Sequence, residues 1–435
     1  MTTSRTTTRA RLPLLPRAPR PYGAGEPSAA RDASAAGAAI TMTAAIDTRG
    51  VLTELQALGA RWVQDAATAE LADQRPPVRP GDGGGELAGL SRRGGAGPSD
   101  HKAIVFDEQT VMVPIHTHAA ARSPFVVRVG ADGGAALERD GERLGPVRFP
   151  AVPRFYAGVT AAGVPYWKIA QLHGTDVLAT TILQHCVRYV DRAQSCQFCA
   201  IGQSLEAGRT VARKTPDDLG EVAAAAVALD GVSHMVMTTG TPATSDRGAR
   251  VLAQAAAAVT ARVALPIQAQ CEPPDDDAWF SRLRSAGVVT LGMHLEAVED
   301  DVRRRIMPGK AEVPLARYFA AFERAVAVFG RGQVTTYLLA GLGDPAAAIL
   351  AACRRLVALG VYPFVVPFVP IRGTPLEHHV PPSPAFMRGL LADVAAILRD
   401  GGLARGEVKA GCGRCGACST LAAHERPAAR PEASP

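Results

Sequence analysis

The stretch "ILQHCVRYVDRAQSCQFCAIGQ", Ile182 to Gln203, gathers three of the chain's eight cysteines, Cys186, Cys196 and Cys199, into fourteen residues. Cys196 and Cys199 stand at C-x2-C spacing. Cys186 lies ten positions upstream, at the end of an apolar run that reads as a buried strand. Thiolates at C-x2-C clip adjacent metal positions, and a third from the same loop completes a three-sided cradle. Structural zinc takes four protein ligands. Three thiolates with none spare suit an iron–sulfur cluster that keeps one iron open. A zinc clip with His185 as fourth ligand is the alternative.

The pattern around that loop predicts the fold. From about residue 175, strand-like apolar runs alternate with helical ones: DVLATTILQ, SHMVMTTG, LPIQAQC, VVTLGMHLE, GQVTTYLLAG and VYPFVVPFV. Caps mark helix starts between them: Thr215 before Pro216, Asp344 before Pro345, Ser383 before Pro384. Six strand–helix units with strands apolar on both faces imply a parallel sheet covered by helices. Six fall short of a closed eight-fold barrel and suit a partial (βα)6 TIM-like barrel or a doubly wound sheet. Either way, polar residues at the C-terminal strand ends line the site. Those ends carry Cys186, Thr238 to Thr241, Gln270 to Glu272, His294 with Glu296, Gly341 with Gly343, and Arg372 to Thr374.

Before the barrel, residues 48–71 show helical apolar spacing at Val51, Leu52, Leu55, Leu58 and Trp62. A Gly/Pro/Arg-rich loop covers roughly 74–100, then short β-like runs include a hairpin turn at Asp140–Gly141. The expected division is 1–45 as a disordered tail, or as a misassigned start whose true position would be Met42. Residues 46–150 are a small N-terminal α+β domain, 151–405 the barrel, and 406–435 a cysteine-containing C-terminal tail.

The net charge of +6 would invite nucleic acid, but six arginines against Glu26 and Asp32 put +4 of it in residues 1–42. No Lys/Arg run interleaved with aromatics follows, so nucleic acid is not an expected partner. No apolar stretch reaches about 18 residues, which argues against a membrane span. Eight cysteines in a large chain without a secretory signal, six of them in two clusters, indicate metal use in a reducing cytoplasm rather than a disulfide framework.

The cysteine loop resembles that of the radical S-adenosylmethionine (SAM) superfamily, whose usual motif is C-x3-C-x2-C after the first strand of a partial six-unit barrel. An aromatic residue precedes the last cysteine there, the place of Phe198. The first gap is nine residues rather than three. That spacing, "SCQFCAIGQSL" and the C-terminal "GC..CGAC" resemble a subgroup related to biotin synthase and encoded beside nitrilases. "TTGTP" at 238–242, "LLAGLGD" at 338–344 and "GTPLE" at 373–377 are similar to the family's SAM-binding strand ends and follow in the same order.

The resemblance implies a 4Fe–4S cluster on Cys186, Cys196 and Cys199. Its open iron chelates SAM, and one-electron reduction of the sulfonium yields a radical that abstracts hydrogen from a small-molecule substrate. It implies that Phe198 flanks adenine. Thr239, Gly240 and Thr241 serve the SAM amine, Glu296 holds ribose or amine, and Gly341 and Gly343 let the backbone approach adenine. A one-electron donor such as flavodoxin or ferredoxin is the implied protein partner.

The second cluster, "KAGCGRCGACSTL", sets Cys412, Cys415 and Cys418 at C-x2-C-x2-C. It reads as an auxiliary iron–sulfur cluster or a structural zinc site. Its fourth ligand would be Cys271, Cys353, substrate or nothing from protein. The tail is expected to fold over the barrel mouth, at the C-terminal strand ends. Further candidates are His116 and His118 on one strand face, facing solvent or holding a metal; the basic stretch Arg303 to Lys310, a solvated loop or one that meets a carboxylate or phosphate at the site mouth; and loop histidines His378 and His379.

Overall fold

The computed structural model of the protein describes residues 47–64, 101–130 and 133–426. The expectations for residues 1–45 and for the 74–100 loop fall outside them. Asp47 opens the first helix, α1 (Thr48–Leu58), by accepting the Gly50 N–H. The helix buries Leu52 and Leu55. Sequence spacing carries this helix through Trp62, but the structure stops it at Gly59, whose N–H bonds Leu55 O. The Ala60 N–H then bonds Pro114 O at 2.9 Å. That contact pulls the chain out of helical geometry, and Arg61–Gln64 leaves as a strand, β1.

Strands β2 (His101–Phe106) and β3 (Gln109–Pro114) form an antiparallel pair. Strands β4 (Phe125–Val129), β5 (Ala135–Arg139) and β6 (Glu142–Val147) continue from β1 into a four-stranded sheet, with β1 parallel to β4. The α1 face and both sheets enclose one hydrophobic core, centred on Leu52, Leu55, Ile104, Phe125 and Leu137.

The larger core belongs to a curled half-barrel sheet of seven strands. Six run parallel in chain order: β8 (Val177–Thr181), β9 (His234–Thr238), β10 (Ile267–Gln270), β11 (Val288–Gly292), β12 (Val334–Ala340) and β13 (Val361–Pro367). A short antiparallel strand, β7 (Gln171–His173), borders β8 and has no counterpart in the sequence pattern. The principal covering helices are α2 (Pro216–Asp230), α3 (Ala249–Thr260), α4 (Ala278–Ser285), α5 (Leu315–Phe329), α6 (Ala346–Leu359) and α7 (Pro384–Asp400). The strands are buried on both faces because helices cover the outside and side chains fill the inside. Each fully buried Val, Leu, Ile or Phe contributes about 1.5–3 kcal/mol.

Thr215 and Ser383 cap α2 and α7 by accepting the Asp218 and Phe386 N–H groups. Asp344 does not cap α6, where Pro345 holds that position. Its carboxylate instead accepts the Val298 and Glu299 N–H groups at 2.9 Å, tying the loop after β12 to the loop after β11. Among the described residues no helix is long and apolar enough to cross a membrane.

Candidate functional site

The segment after β8 runs beside the one after β9. Ile182 and Gly240 N–H groups bond Thr238 O and Leu183 O, and Val187 N–H bonds Thr241 O. Gly240 is required here by close approach, since a Cβ would lie 2.0 Å from the His185 carbonyl oxygen. This pairing fixes Cys186 at the barrel's C-terminal edge. A turn closed by Cys199 N–H on Cys196 O brings the other two thiols beside it. Burial pushes the Cys199 thiol up to about 11, and the nearby Cys186 adds to the shift. Burial likewise raises Cys196 well above its usual value, with Glu296 and Cys199 contributing. All three cysteines are free.

A single tetrahedral zinc ion would hold its sulfurs about 3.8 Å apart. Among the described residues, the one group of His, Cys, Asp or Glu with all its ligand atoms within 4.8 Å contains no cysteine. Both cysteine triads are thus spread wider than one ion needs. The His185 ring is exposed and belongs to no tight group. A zinc clip on His185 does not fit this geometry, and the wider spread of the thiols leaves room for a group larger than one ion.

Behind the cysteines lies a buried ionic network. Arg188 donates Nε and Nη2 to the two carboxylate oxygens of Glu272, each at 2.9 Å, and Thr241 Oγ1 donates to Glu272 Oε1 at 2.8 Å. Burial pushes Glu272 up, but the Arg188 hydrogen bonds outweigh it and hold the carboxyl below its usual range. Lys310 forms an ion pair with Glu296. Glu296 sits at φ +62°, a left-handed conformation that costs a non-glycine residue about 1–3 kcal/mol. Backbone bonds in both directions hold it there, from its N–H to Tyr337 O and from Leu339 N–H to its own carbonyl. The basic stretch Arg303 to Lys310 is therefore no solvated loop: Arg303 is 1% and Lys310 8% exposed. Lys310 is drawn inward by the carboxylate it neutralises.

The second cysteine cluster enters the barrel from the opposite end. Thr290 Oγ1 donates to Ala410 O at 3.1 Å, Gly411 N–H to His234 Nδ1 at 3.0 Å, and Cys412 N–H to Gln268 Oε1 at 3.0 Å. His234 and Gln268 open their strands, so the tail seals the barrel floor rather than its mouth. Gly411 has φ +81°, and a Cβ would meet Gln268 Oε1 at 2.1 Å. The physical reason is polar satisfaction, because the floor exposes His234, Gln268 and Thr290 to the interior and the tail backbone bonds them. The α1 residue Gln56 braces the same segment through Ala417 O and Thr420 N–H.

Between mouth and floor lies a cavity of about 380 Å³. Phe198 and Glu296 line it from above, Cys412 and Cys418 from below, and Gln270, His294 and Tyr337 from the strands. Gln270 Nε2 donates to Cys412 Sγ at 3.2 Å, and Cys418 Sγ lies 3.5 Å from His173 Nε2. His294 Nδ1 accepts the Tyr337 N–H, which leaves the proton on Nε2. Nε2 is buried without a hydrogen-bond partner. Burial, assisted by the Lys310 charge, pushes His294 down to about 3, so the ring is neutral.

Of the other sequence candidates, Thr239 and Thr241 lie with Gly240 beside the cysteine loop, Thr239 donating to Gly240 O at 2.8 Å. Gly341 packs on Pro382 and Gly343 against Arg305. Cys353 is buried in α6, and Cys271 sits at the top of β10, pushed up to about 12 by burial. Neither is placed to complete the floor site, as the sequence reading allowed. His118 lies in a turn beyond β3, so strand alternation with His116 does not apply. Arg188 escaped the sequence reading, whereas Lys310 meets a carboxylate, the lesser of the two readings its segment allowed. The signal for Arg188 was charge within an otherwise apolar segment at the barrel mouth.

Residues 193–356 match the family model described as the radical SAM superfamily. The curated bacteriochlorophyllide c C-7(1)-hydroxylase of Chlorobaculum limnaeum is 32% identical over 121 residues, 27% of this chain and 30% of that protein. The chain thus matches less than a third of that relative's length. Among solved structures, methylornithine synthase is 17% identical with TM-score 0.41, covering 56% of this chain and 67% of its own. A radical SAM methyltransferase from Sphaerobacter thermophilus is 20% identical with TM-score 0.37, covering 65% and 76%.

Proposed function

We propose, from the premise that residues 193–356 form a domain of the radical SAM superfamily, that the protein is a radical SAM enzyme acting on a small metabolite inside the barrel. The superfamily implies a 4Fe–4S cluster and SAM. When bound, they supply one-electron cleavage of SAM and a hydrogen-abstracting radical. Cys186, Cys196 and Cys199 would hold the cluster. The observation that carries the reading is the wide, three-thiol cradle at the end of β8, with Phe198 and Glu296 of the same mouth lining the central cavity.

The chain's own residues have separable tasks. Thr239, Gly240 and Thr241 present backbone and hydroxyl groups next to the cradle. Glu272, ionised and locked by Arg188, holds Thr241 in place. Glu296, charge-balanced by Lys310, offers a carboxylate at the cavity wall without leaving a bare buried charge. The apolar walls from Leu339, Val366 and Phe368 exclude water. Neutral His294, Gln270 and Tyr337 provide uncharged polar contacts for the substrate. Cys412, Cys415 and Cys418 would hold an auxiliary iron–sulfur cluster at the floor. A nitrile- or amide-related substrate is favoured by the resemblance to the nitrilase-associated subgroup, and a flavodoxin or ferredoxin is the fitting reductant.

The test is anaerobic reconstitution with iron and sulfide followed by reductive SAM cleavage. Cys196→Ala should abolish cleavage. Cys415→Ala should lower iron content and leave substrate-free cleavage largely intact. The reverse pattern would overturn the assignment of roles.

A second reading, radical sulfur insertion like that of biotin synthase, is favoured by one observation: the tail brings Cys412 and Cys418 to the wall of the same cavity. Reconstitution with isotopically labelled sulfide would place the label in the product if the floor cluster donates sulfur.

A further inference from the structure

Away from both cysteine clusters, His118, Glu377 and His378 place one ligand atom each within 4.8 Å of the others. We infer that these three side chains form a zinc site that clasps the turn after β3 to the loop after β13. The two segments are distant in sequence and contribute one and two ligands respectively.

The side chains are already gathered. The His118 and His378 rings stack, with centroids 4.7 Å apart and planes 28° from parallel, so one ring must turn for both in-plane lone pairs to meet one ion. Glu377 uses one oxygen to accept the Gly373 N–H at 2.8 Å, and its other oxygen lies 3.4 Å from His378 Nε2. Zinc–ligand bonds of about 2.0–2.2 Å at tetrahedral angles put neighbouring donor atoms about 3.4 Å apart. The Glu377–His378 pair already has that spacing. His118 lies within 4.8 Å of both, so side-chain rotation closing at most about 1.4 Å brings its nitrogen to ligand spacing. The Gly373 N–H holds the Glu377 carboxyl below its usual range, so the ligand is ionised. A divalent ion satisfies both lone pairs and the carboxylate at once.

The donor set narrows the ion. Two imidazoles and one carboxylate, without sulfur, suit a borderline divalent ion, zinc or iron(II), and not an iron–sulfur cluster; zinc is the one put to the test. Three protein ligands leave a coordination position for water or a small anion. All three residues line one cleft of about 550 Å³, and Arg122 lines it too.

The position gives the clasp a consequence. The loop after β13 lies on the cysteine-bearing segment: Leu376 N–H bonds Gln197 O at 3.3 Å, and Gln203 Nε2 donates to Arg372 O at 2.8 Å. A bound ion would therefore restrain the loop that overlies the segment holding Cys196 and Cys199.

The inference does not depend on the reaction proposed for the barrel. Its test uses full-length protein with its cysteine sites filled by anaerobic iron and sulfide reconstitution. Zinc chloride is then added, followed by calorimetry and metal analysis after gel filtration. Wild type, and a variant with the six clustered cysteines replaced by Ser, should each retain one zinc. His118→Ala and His378→Ala should each lose that zinc, with affinity falling by more than the roughly 10–100-fold typical of outer-shell partners. Glu377→Gln should weaken it, while His116→Asn should keep it. Hydrogen exchange across residues 371–380 should slow on adding zinc to wild type and not to His118→Ala. Equal zinc content and affinity in wild type, His118→Ala and His378→Ala would overturn the site. So would equal loss in His116→Asn, which would mark diffuse histidine binding.

Discussion

Gln270 Nε2 donates a hydrogen bond to Cys412 Sγ across 3.2 Å, joining the end of strand β10 to a cysteine 142 positions later in the chain. That bond, with the one from the Tyr337 hydroxyl, sets the electrostatics of the floor site. Hydrogen bonds to cluster sulfurs favour the more negative, reduced state and raise the reduction potential. Gln270→Met should therefore shift the potential of a floor cluster to more negative values. Potentiometric titration followed by paramagnetic resonance reads the shift, and an unchanged or raised potential would contradict this role for Gln270.

Gly411→Ala should detach the tail from the floor. The added Cβ collides with Gln268 at a residue whose φ is +81° and ψ −155°, a backbone region essentially reserved for glycine that alone costs about 1–3 kcal/mol. The melting temperature should fall by about 2–4 °C or more. Iron bound by the tail should be lost while the loop cysteines keep theirs. Metal analysis of Gly411→Ala in a background lacking the loop cysteines separates the two.

The Arg188–Glu272 pair is buried, and removing one partner strands the other. Arg188→Met should destabilise the fold by about 3–5 kcal/mol in denaturant titrations. Arg188→Met with Glu272→Met should recover most of that loss, because an apolar pair leaves no unpaired charge. If the pair also positions Thr241, SAM binding measured by equilibrium dialysis should stay impaired in the double variant. Full recovery of both would reduce the pair to a structural role.

Acid should loosen the tail. Burial pushes His234 and His424 each down to about 4. His234 Nδ1 accepts the Gly411 N–H, and His424 Nε2 lies 3.3 Å from Thr53 Oγ1 on α1. An unfolded chain protonates these rings near pH 6.5. Between about pH 6.5 and 4 the unfolded state therefore holds protons that the folded state lacks, so stability rises with pH across that window. The melting temperature should fall on acidification from pH 6.5 to 4 and lose less in His424→Gln. An identical pH slope in that variant would exclude His424 as a contributor.

Much of the architecture is local in origin and was legible in the sequence. Six apolar runs read as strands because burial on both faces leaves no polar alternation, and Thr215 and Ser383 cap helices through bonds three residues long. The cysteine spacing at 186, 196 and 199 depends only on one loop. The end of α1 falls short of its apolar spacing because Ala60 bonds Pro114, a contact between segments. Tertiary structure alone decided which charges pair and where the tail goes. Arg188 meets Glu272 across 84 positions, and Gly411 meets His234 across 177. Periodicity tells which face of an element is buried, but not which distant group waits there. A buried polar atom must find a partner, and only the threaded chain determines that the interior polar groups of the barrel floor find theirs in residues 410–412.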